Sequence, residues 1–507
     1  MCSNLIKHFF FYRLCHYYMR KRDNRGNKEK NNEYDLRNVD LPEYNFTRRL
    51  KDDLFILSDN AKQRLECVCR YIDYDIPVVL EGPTGSAKTS TVVQAVEFLG
   101  KKLLRYNASG ETTVEDLYGR IVSDPDRWGS FGYVFGDYIQ AYRDGYCFLI
   151  DEINLAPDNV FCAILDSIEN ECIELDIPGS AREVIPKHPD FRIIATQNPN
   201  KGKFQAKRIE MSEKFKSIFR TVQFSEMNEE ELINLANELS KKYNCYIDMS
   251  SIVKIHYEWS NTDIVRKSPY CFTLRDIIST IECFSSEGIS IYESVLFNYG
   301  FRFSSKEQLS LKTILKKHKL EFKNEDLPVD EELPDHYHDP SHDDLFRFAM
   351  ITLKRGRNII INGKSGTGLT FMGKLIAQMY SKEYKFYVCT KETSISDLVG
   401  KYIPKNLRKG ELEWIDGPLV QSMENGEAFV FDRIDASPPP ILEKLNLLLD
   451  QNLSKNDVEF DLPENPHKKK VLINPKFRII GVACTSTIEG LSPAFLNRFS
   501  VLFLNDI

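Results

Sequence analysis

One glycine-rich loop and one apolar strand ending in aspartate occur twice in this chain, in the same register. GPTGSAKT spans Gly82 to Thr89 and FLIDE spans Phe148 to Glu152, while GKSGTGLT spans Gly363 to Thr370 and FVFDR spans Phe429 to Arg433. Gly363 follows Gly82 by 281 residues, and Asp432 follows Asp151 by the same 281. Asp116-Leu117 with Asp397-Leu398, Gly119 with Gly400, and Gly136 with Gly417 keep that offset. The FRII runs at Phe191 and Phe477 are 286 apart, which puts a five-residue insertion near the charged segment Leu453 to Lys470. Repetition at fixed spacing beyond the loops means two diverged copies of one domain.

Short apolar runs precede each loop and recur after it, at 76–80, 103–106, 147–150, 192–195 and 220–224 in copy one and at 358–361, 385–388, 429–431, 478–481 and 501–504 in copy two. Helical patterns lie between them. Strands alternating with helices predict an α/β fold, here two tandem parallel-sheet domains with ligands gathered at the carboxyl ends of the strands. The predicted division is an N-terminal extension over 1–45 expected to be disordered, a first α/β domain over 46–224, and a helical lid over 225–303. A charged linker over 304–344 and a second α/β domain over 345–507 complete it. No second lid follows, so either that lid is supplied elsewhere or the sequence is a piece of a longer chain.

A glycine-rich turn between strand and helix aims successive backbone N–H groups at a polyphosphate, with the helix N-terminus behind them. In copy one that cradle is Gly82, Pro83, Thr84, Gly85, Ser86, Ala87, Lys88, Thr89 and Ser90, with Ala87 standing where the general motif has glycine. Lys88 is expected to neutralise the outer phosphates of ATP, Thr89 to ligate Mg²⁺, Asp151 to hold that ion through water, and Glu152 to polarise the attacking water. Copy two keeps Gly363, Gly366, Gly368, Thr370 and Asp432, a degenerate nucleotide site. Leu369 replaces Lys88 there, and Arg433 replaces Glu152. Lys364 sits too early in its loop to substitute.

The 507 residues carry a formal net charge of −7, which argues against bulk or sequence-specific nucleic-acid binding. No apolar run reaches the about 18 residues that a membrane helix needs. The 12 cysteines include no CxxC pair and read as reduced core thiols of a cytosolic or nuclear protein. His336, His338 and His342 lack a structural frame and a fourth ligand, so they read as solvated linker rather than a metal site.

DEINLAP at Asp151 to Pro157, followed by ATQNPN at Ala195 to Asn200, resembles the midasin and dynein-related branch of AAA+ ATPases, over about 54–506. The resemblance implies that Asn198 senses the γ-phosphate, that Arg275 in FTLRD contacts nucleotide from the lid, and that the units complete a ring with other AAA+ units. In such rings an arginine finger comes from the neighbouring unit. LSPAFLNRF at Leu491 to Phe499 resembles the finger segment and assigns it to Arg498, while MSEKFKSIF at Met211 to Phe219 has Ile218 there. Lys216 or Arg220 remain alternatives in copy one.

The resemblance further implies an ATP-hydrolysing remodeller of a protein or ribonucleoprotein client such as the pre-60S ribosomal particle, in the nucleus, with cytoplasm the alternative. Two rival readings remain. One is a MoxR- or chelatase-like ATPase acting on another protein complex, and the other is a nucleotide-dependent scaffold with little turnover.

Overall fold

A computed structural model describes residues 59–108, 110, 112–123, 131–177, 182–199, 212–245, 248–285, 289–320, 343–406, 411–449, 458–462 and 470–504. The N-terminal extension and the three linker histidines lie outside these residues. The core strands of copy one are β1 (Val78–Glu81), β2 (Leu103–Asn107), β3 (Cys147–Asp151), β4 (Arg192–Gln197) and β5 (Arg220–Gln223). They form a parallel sheet in the order β2-β3-β4-β1-β5. Copy two repeats it with β6 (Asn358–Gly363), β7 (Tyr384–Val388), β8 (Ala428–Asp432), β9 (Arg478–Cys484) and β10 (Phe499–Leu504), in the order β7-β8-β9-β6-β10.

These runs become central strands because both of their faces are covered, so a near-continuous apolar sequence is buried throughout. Val78, Leu80, Cys147 and Leu149 point to one side of the first sheet. They meet Leu65, Val68 and Ile72 of the helix Asp59–Asp73 and Val92, Ala95 and Val96 of the helix Lys88–Phe98. Val79, Phe148, Ile150 and Ile193 point to the other side, against Tyr138, Tyr142, Phe161 and Ile164. The period of two along each strand separates the two layers.

The sequence offsets reappear as strand pairing. Leu103 pairs with Cys147 and Tyr384 with Ala428, both members shifted by 281. Val78 pairs with Ile194 and Ile359 with Ile480, so the fourth strand carries the 286 shift. Val78 also pairs with Arg220 and Ile359 with Ser500, a shift of 280 in the fifth strand, the register that matches Arg498 with Ile218.

The lid contains helices Glu229–Lys242, Ser250–Ser260, Asp263–Lys267, Leu274–Phe284 and Ile291–Val295. The expected linker beginning at 304 is corrected in its first part. Ser305–Lys317 is a helix opened by a capping box between Ser304 and Glu307, and it buries Leu311, Ile314 and Leu315 in the lid core. Its lysines lie on the outer face, which is why its composition reads as linker. The lid is seated on copy two. Phe297 stacks on Phe348 at 4.7 Å, Arg355 Nη2 donates to the Cys283 carbonyl at 2.6 Å, and Arg357 Nε donates to Glu282 at 2.9 Å. Among the described residues, no helix is long and apolar enough to cross a membrane.

The repeated glycines have a steric cause. Gly119 and Gly400 open matching hairpins with φ of 120° and 136°, and a Cβ at either would collide with a carbonyl oxygen across the hairpin, Val134 or Ile415. Gly119→Ala should destabilise copy one by about 1–3 kcal/mol, the cost of a disallowed backbone region. Thermal unfolding of the full chain checks this, and an unshifted first transition would show that the hairpin entry accommodates a side chain.

Candidate functional site

Strand β1 delivers the chain into the Gly82–Thr89 loop, and the helix beginning at Lys88 carries it away. Gly82 must lack a side chain because a Cβ would enter Phe224 at the edge of β5. Ala87 sits in the left-handed region at φ 64°, where its counterpart Gly368 has φ 83°. A non-glycine residue there costs on the order of 1–2 kcal/mol, strain held by the surrounding loop.

Lys88 is buried within its own loop, with Nζ donating to the Gly82 carbonyl at 2.7 Å, the Pro83 carbonyl at 2.9 Å and Asn198 Oδ1 at 2.9 Å. Asn198 Nδ2 in turn donates to the Glu152 carboxylate. Asn198 therefore links the cationic and the acidic sides of the site in one side chain. Its backbone is held by Asn154, whose Nδ2 donates to the Asn198 carbonyl at 2.9 Å. Glu152 turns out of β3 with φ 54°, a left-handed step shared by Arg433 at φ 58°. That turn separates the directions of two consecutive carboxylates, so Asp151 faces the loop and Glu152 faces Asn198.

Asp151 is 5% exposed and hydrogen-bonded on both oxygens. Thr89 Oγ1 lies 3.1 and 3.2 Å from them, Thr196 Oγ1 donates to Oδ1, and Arg105 donates to Oδ2 through Nε at 2.9 Å and Nη2 at 2.6 Å. A hydroxyl and a carboxylate converging from loop and strand are hard oxygen donors of the type Mg²⁺ takes beside a nucleotide, so the residue set fits that ion. Thr196, Arg105 and the lid residue Thr273 carry no assigned role in the sequence reading, although Thr273 lies inside FTLRD. Thr196 lies inside the ATQNPN run. Arg105 could have been found by comparing the copies, since the residue 281 later is Phe386.

Thr273 closes the loop from the lid. It caps the helix Leu274–Phe284, and a Cβ on Gly85 would lie 2.8 Å from Thr273 Cβ. Arg275 stands exposed on the first turn of that helix, two residues beyond this contact. Three residues before Thr273, Tyr270 accepts a hydrogen bond from Asn362 Nδ2 at 3.0 Å, at the end of β6 in copy two.

Copy two keeps the fold of the site and loses its polar interior. Thr370 Oγ1 donates to Asp432 at 3.0 Å, matching Thr89 and Asp151. The positions of Lys88, Arg105, Glu152, Thr196 and Asn198 are filled by Leu369, Phe386, Arg433, Val482 and Cys484. Leu369 packs toward Gly363, where an added Cβ would be 3.0 Å from its Cδ2, and Lys364 is exposed on the loop. Cys484 lies 3.3 Å from Ser486 Oγ, and this contact holds its thiol below the ordinary range. Arg498 is half-buried immediately before β10, while Ile218 ends the helix Glu213–Ile218, and Lys216 pairs with Glu213 at 2.8 Å.

The profile of the AAA domain (dynein-related subfamily) matches this chain twice, over residues 77–219 and 358–499. Midasin of Giardia intestinalis is 22% identical over 539 aligned residues, covering 90% of this chain and 11% of that protein. Midasin of Dictyostelium discoideum is 24% identical over 568, covering 89% and 9%. The chain thus spans about a tenth of the length of these relatives. Protein CbbQ of Hydrogenophilus thermoluteolus is 33% identical over 127 residues, 24% of this chain and 45% of that protein.

Thr196 supplies a hydrogen bond to a buried carboxylate, so Thr196→Val, which copies the second unit, should reduce the stability of copy one by about 1–3 kcal/mol. Denaturant unfolding followed by a copy-one probe measures it. No change would mean that Thr89 and Arg105 satisfy Asp151 unaided.

Proposed function

Because the chain belongs to the dynein-related subfamily of AAA-domain proteins, we propose that it hydrolyses ATP to ADP and phosphate at one site, in copy one, and uses that cycle to remodel a client. The observation that carries this reading is the internal contrast between the copies. Lys88, Asp151, Glu152 and Asn198 converge in the first, whereas Leu369, Arg433 and Cys484 fill three of these positions in the second.

In the proposed mechanism, the loop N–H groups and Lys88 bind the phosphates, with Lys88 exchanging the Gly82 and Pro83 carbonyls for phosphate oxygens. Thr89 and Asp151 would hold Mg²⁺, which would supply positive charge to offset that of the phosphates. Glu152 orients the attacking water and Asn198 holds Glu152, so the amide that touches Lys88 also sets the direction of the base. Arg275 approaches from the lid. Copy two contributes no hydrolysis and supplies Arg498 as the finger for the copy-one site. Two observations support that role: the strand register matches Arg498 with Ile218, and the copy-one lid rests on copy two, which makes the units neighbours.

Likeness to midasins over nearly the whole chain supports a place in large-subunit ribosome assembly in the nucleus, as one part of a ring completed by other AAA+ units. The match to Protein CbbQ supports a second reading, a MoxR-like remodelling ATPase acting on another protein complex. Protein partners recovered from cells separate the two.

Lys88→Ala should abolish binding of a fluorescent ATP analogue; unchanged affinity would remove the site assignment. Glu152→Gln should keep that binding and lower steady-state phosphate release by roughly 10²-fold. For Arg498→Ala, turnover should fall by roughly 10³-fold with ATP affinity little altered. A neutral Arg498→Ala alongside a crippled Lys216→Ala or Arg220→Ala would reverse the order of units.

A further inference from the structure

We propose that Arg105 is a positioning residue of the nucleotide site, a resident counter-cation that neutralises Asp151 and gives way when Mg²⁺ binds, thereby setting the Mg²⁺ concentration at which the site loads. The inference rests on copy one being the Mg²⁺–ATP site.

Arg105 lies in β2, two residues before Asn107, the strand partner of Asp151. Residues two apart share a face of the sheet, so the Arg105 side chain runs along β2 toward the carboxyl end of β3. There its Nε and Nη2 both reach Asp151 Oδ2, at 2.9 and 2.6 Å. The side chains are 24% and 8% exposed, so solvent screens this pair weakly. Thr89 and Thr196 occupy the remaining approaches to the carboxylate. A carboxylate has about four lone-pair directions, and these donors use them. Asp151 Oδ2 would therefore have a free direction with which to help hold a hydrated Mg²⁺ only after Arg105 withdraws. Before the metal arrives, the guanidinium offsets a negative charge that would otherwise repel the incoming triphosphate.

The second copy is the internal control. Phe386 occupies the Arg105 position and carries Lys374 over its ring at 4.0 Å, and Asp432 keeps its threonine contact from Thr370. The carboxylate thus persists in that fold without an arginine, so the ion pair is not a requirement of the strand or the loop. Arg105 disappears together with Lys88, Glu152 and Asn198. That joint loss ties it to the working site rather than to the scaffold.

The test is binding of a fluorescent ATP analogue to the full chain, titrated with Mg²⁺ and repeated in EDTA, for the parent, Arg105→Gln, Arg105→Lys and Lys88→Ala. Arg105→Gln should lower the Mg²⁺ midpoint by about tenfold, the scale of removing one competing charge-assisted contact, and weaken binding in EDTA several-fold. Arg105→Lys keeps the charge but loses the two-nitrogen grip, so its midpoint should fall less and its EDTA binding should stay near the parent. An unchanged or raised midpoint in either variant, with the melting transition intact, overturns the proposal. Loss of binding at saturating Mg²⁺ also overturns it, because Arg105 would then be a phosphate ligand. If Arg105→Gln does not fold, the Arg105→Lys midpoint decides alone. Retained binding in Lys88→Ala would instead mean that the site assignment has failed.

Discussion

A buried carboxylate at the end of an apolar strand is the constraint around which copy one is arranged. Burial of an ionised aspartate without partners is prohibitive, so every approach to Asp151 must be met by a donor. Thr89 meets it from the phosphate loop, Thr196 from β4 and Arg105 from β2. Each donor comes from a different element, and their agreement fixes the loop against the sheet. The same fixed geometry leaves Glu152, one residue on, facing a separate partner in Asn198.

Copy two shows what the fold tolerates when that constraint is relaxed. Its sheet order, hairpins and left-handed turn at Arg433 persist, yet Phe386 and Val482 stand at the positions of the donors Arg105 and Thr196, and Leu369 at that of Lys88. The architecture is maintained by the apolar layers, and a handful of polar positions can be lost together while it stays. Between the copies, the four-residue lid segment Tyr270–Thr273 touches both loops at its ends. Thr273 abuts Gly85, and Tyr270 bonds Asn362 beside the second loop. One short lid segment thus contacts both the first loop and the end of β6.

Much of this was legible in the residues. Strand positions followed from apolar runs ending at loop motifs, and the duplicated register survived as hydrogen-bond register because the length changes fall between the strands of the two five-stranded sheets. Lys88, Asp151 and Glu152 were expected together from motif order and Asn198 from the family resemblance, and the fold brings the four side chains together. Arg105 was hidden because an arginine in a strand has no local signature, and its partner is 46 residues away. Thr273 was hidden because its role is a packing contact with Gly85. The helix Ser305–Lys317 was read as linker because only four of its thirteen residues are buried, and lysines and other polar residues fill most of the rest. A short amphipathic face is weaker evidence in sequence than in a packed lid.

The central claim is that one site per chain completes hydrolysis. Quantitative trapping of Mg²⁺–ADP with aluminium fluoride, which mimics the transferring phosphoryl group, counts sites able to assemble the hydrolytic geometry. The account predicts one trapped ADP per chain, falling to none in Lys88→Ala and unaffected by Asp432→Ala. Two trapped ADP per chain, or trapping that survives Lys88→Ala and is lost with Asp432→Ala, would contradict it.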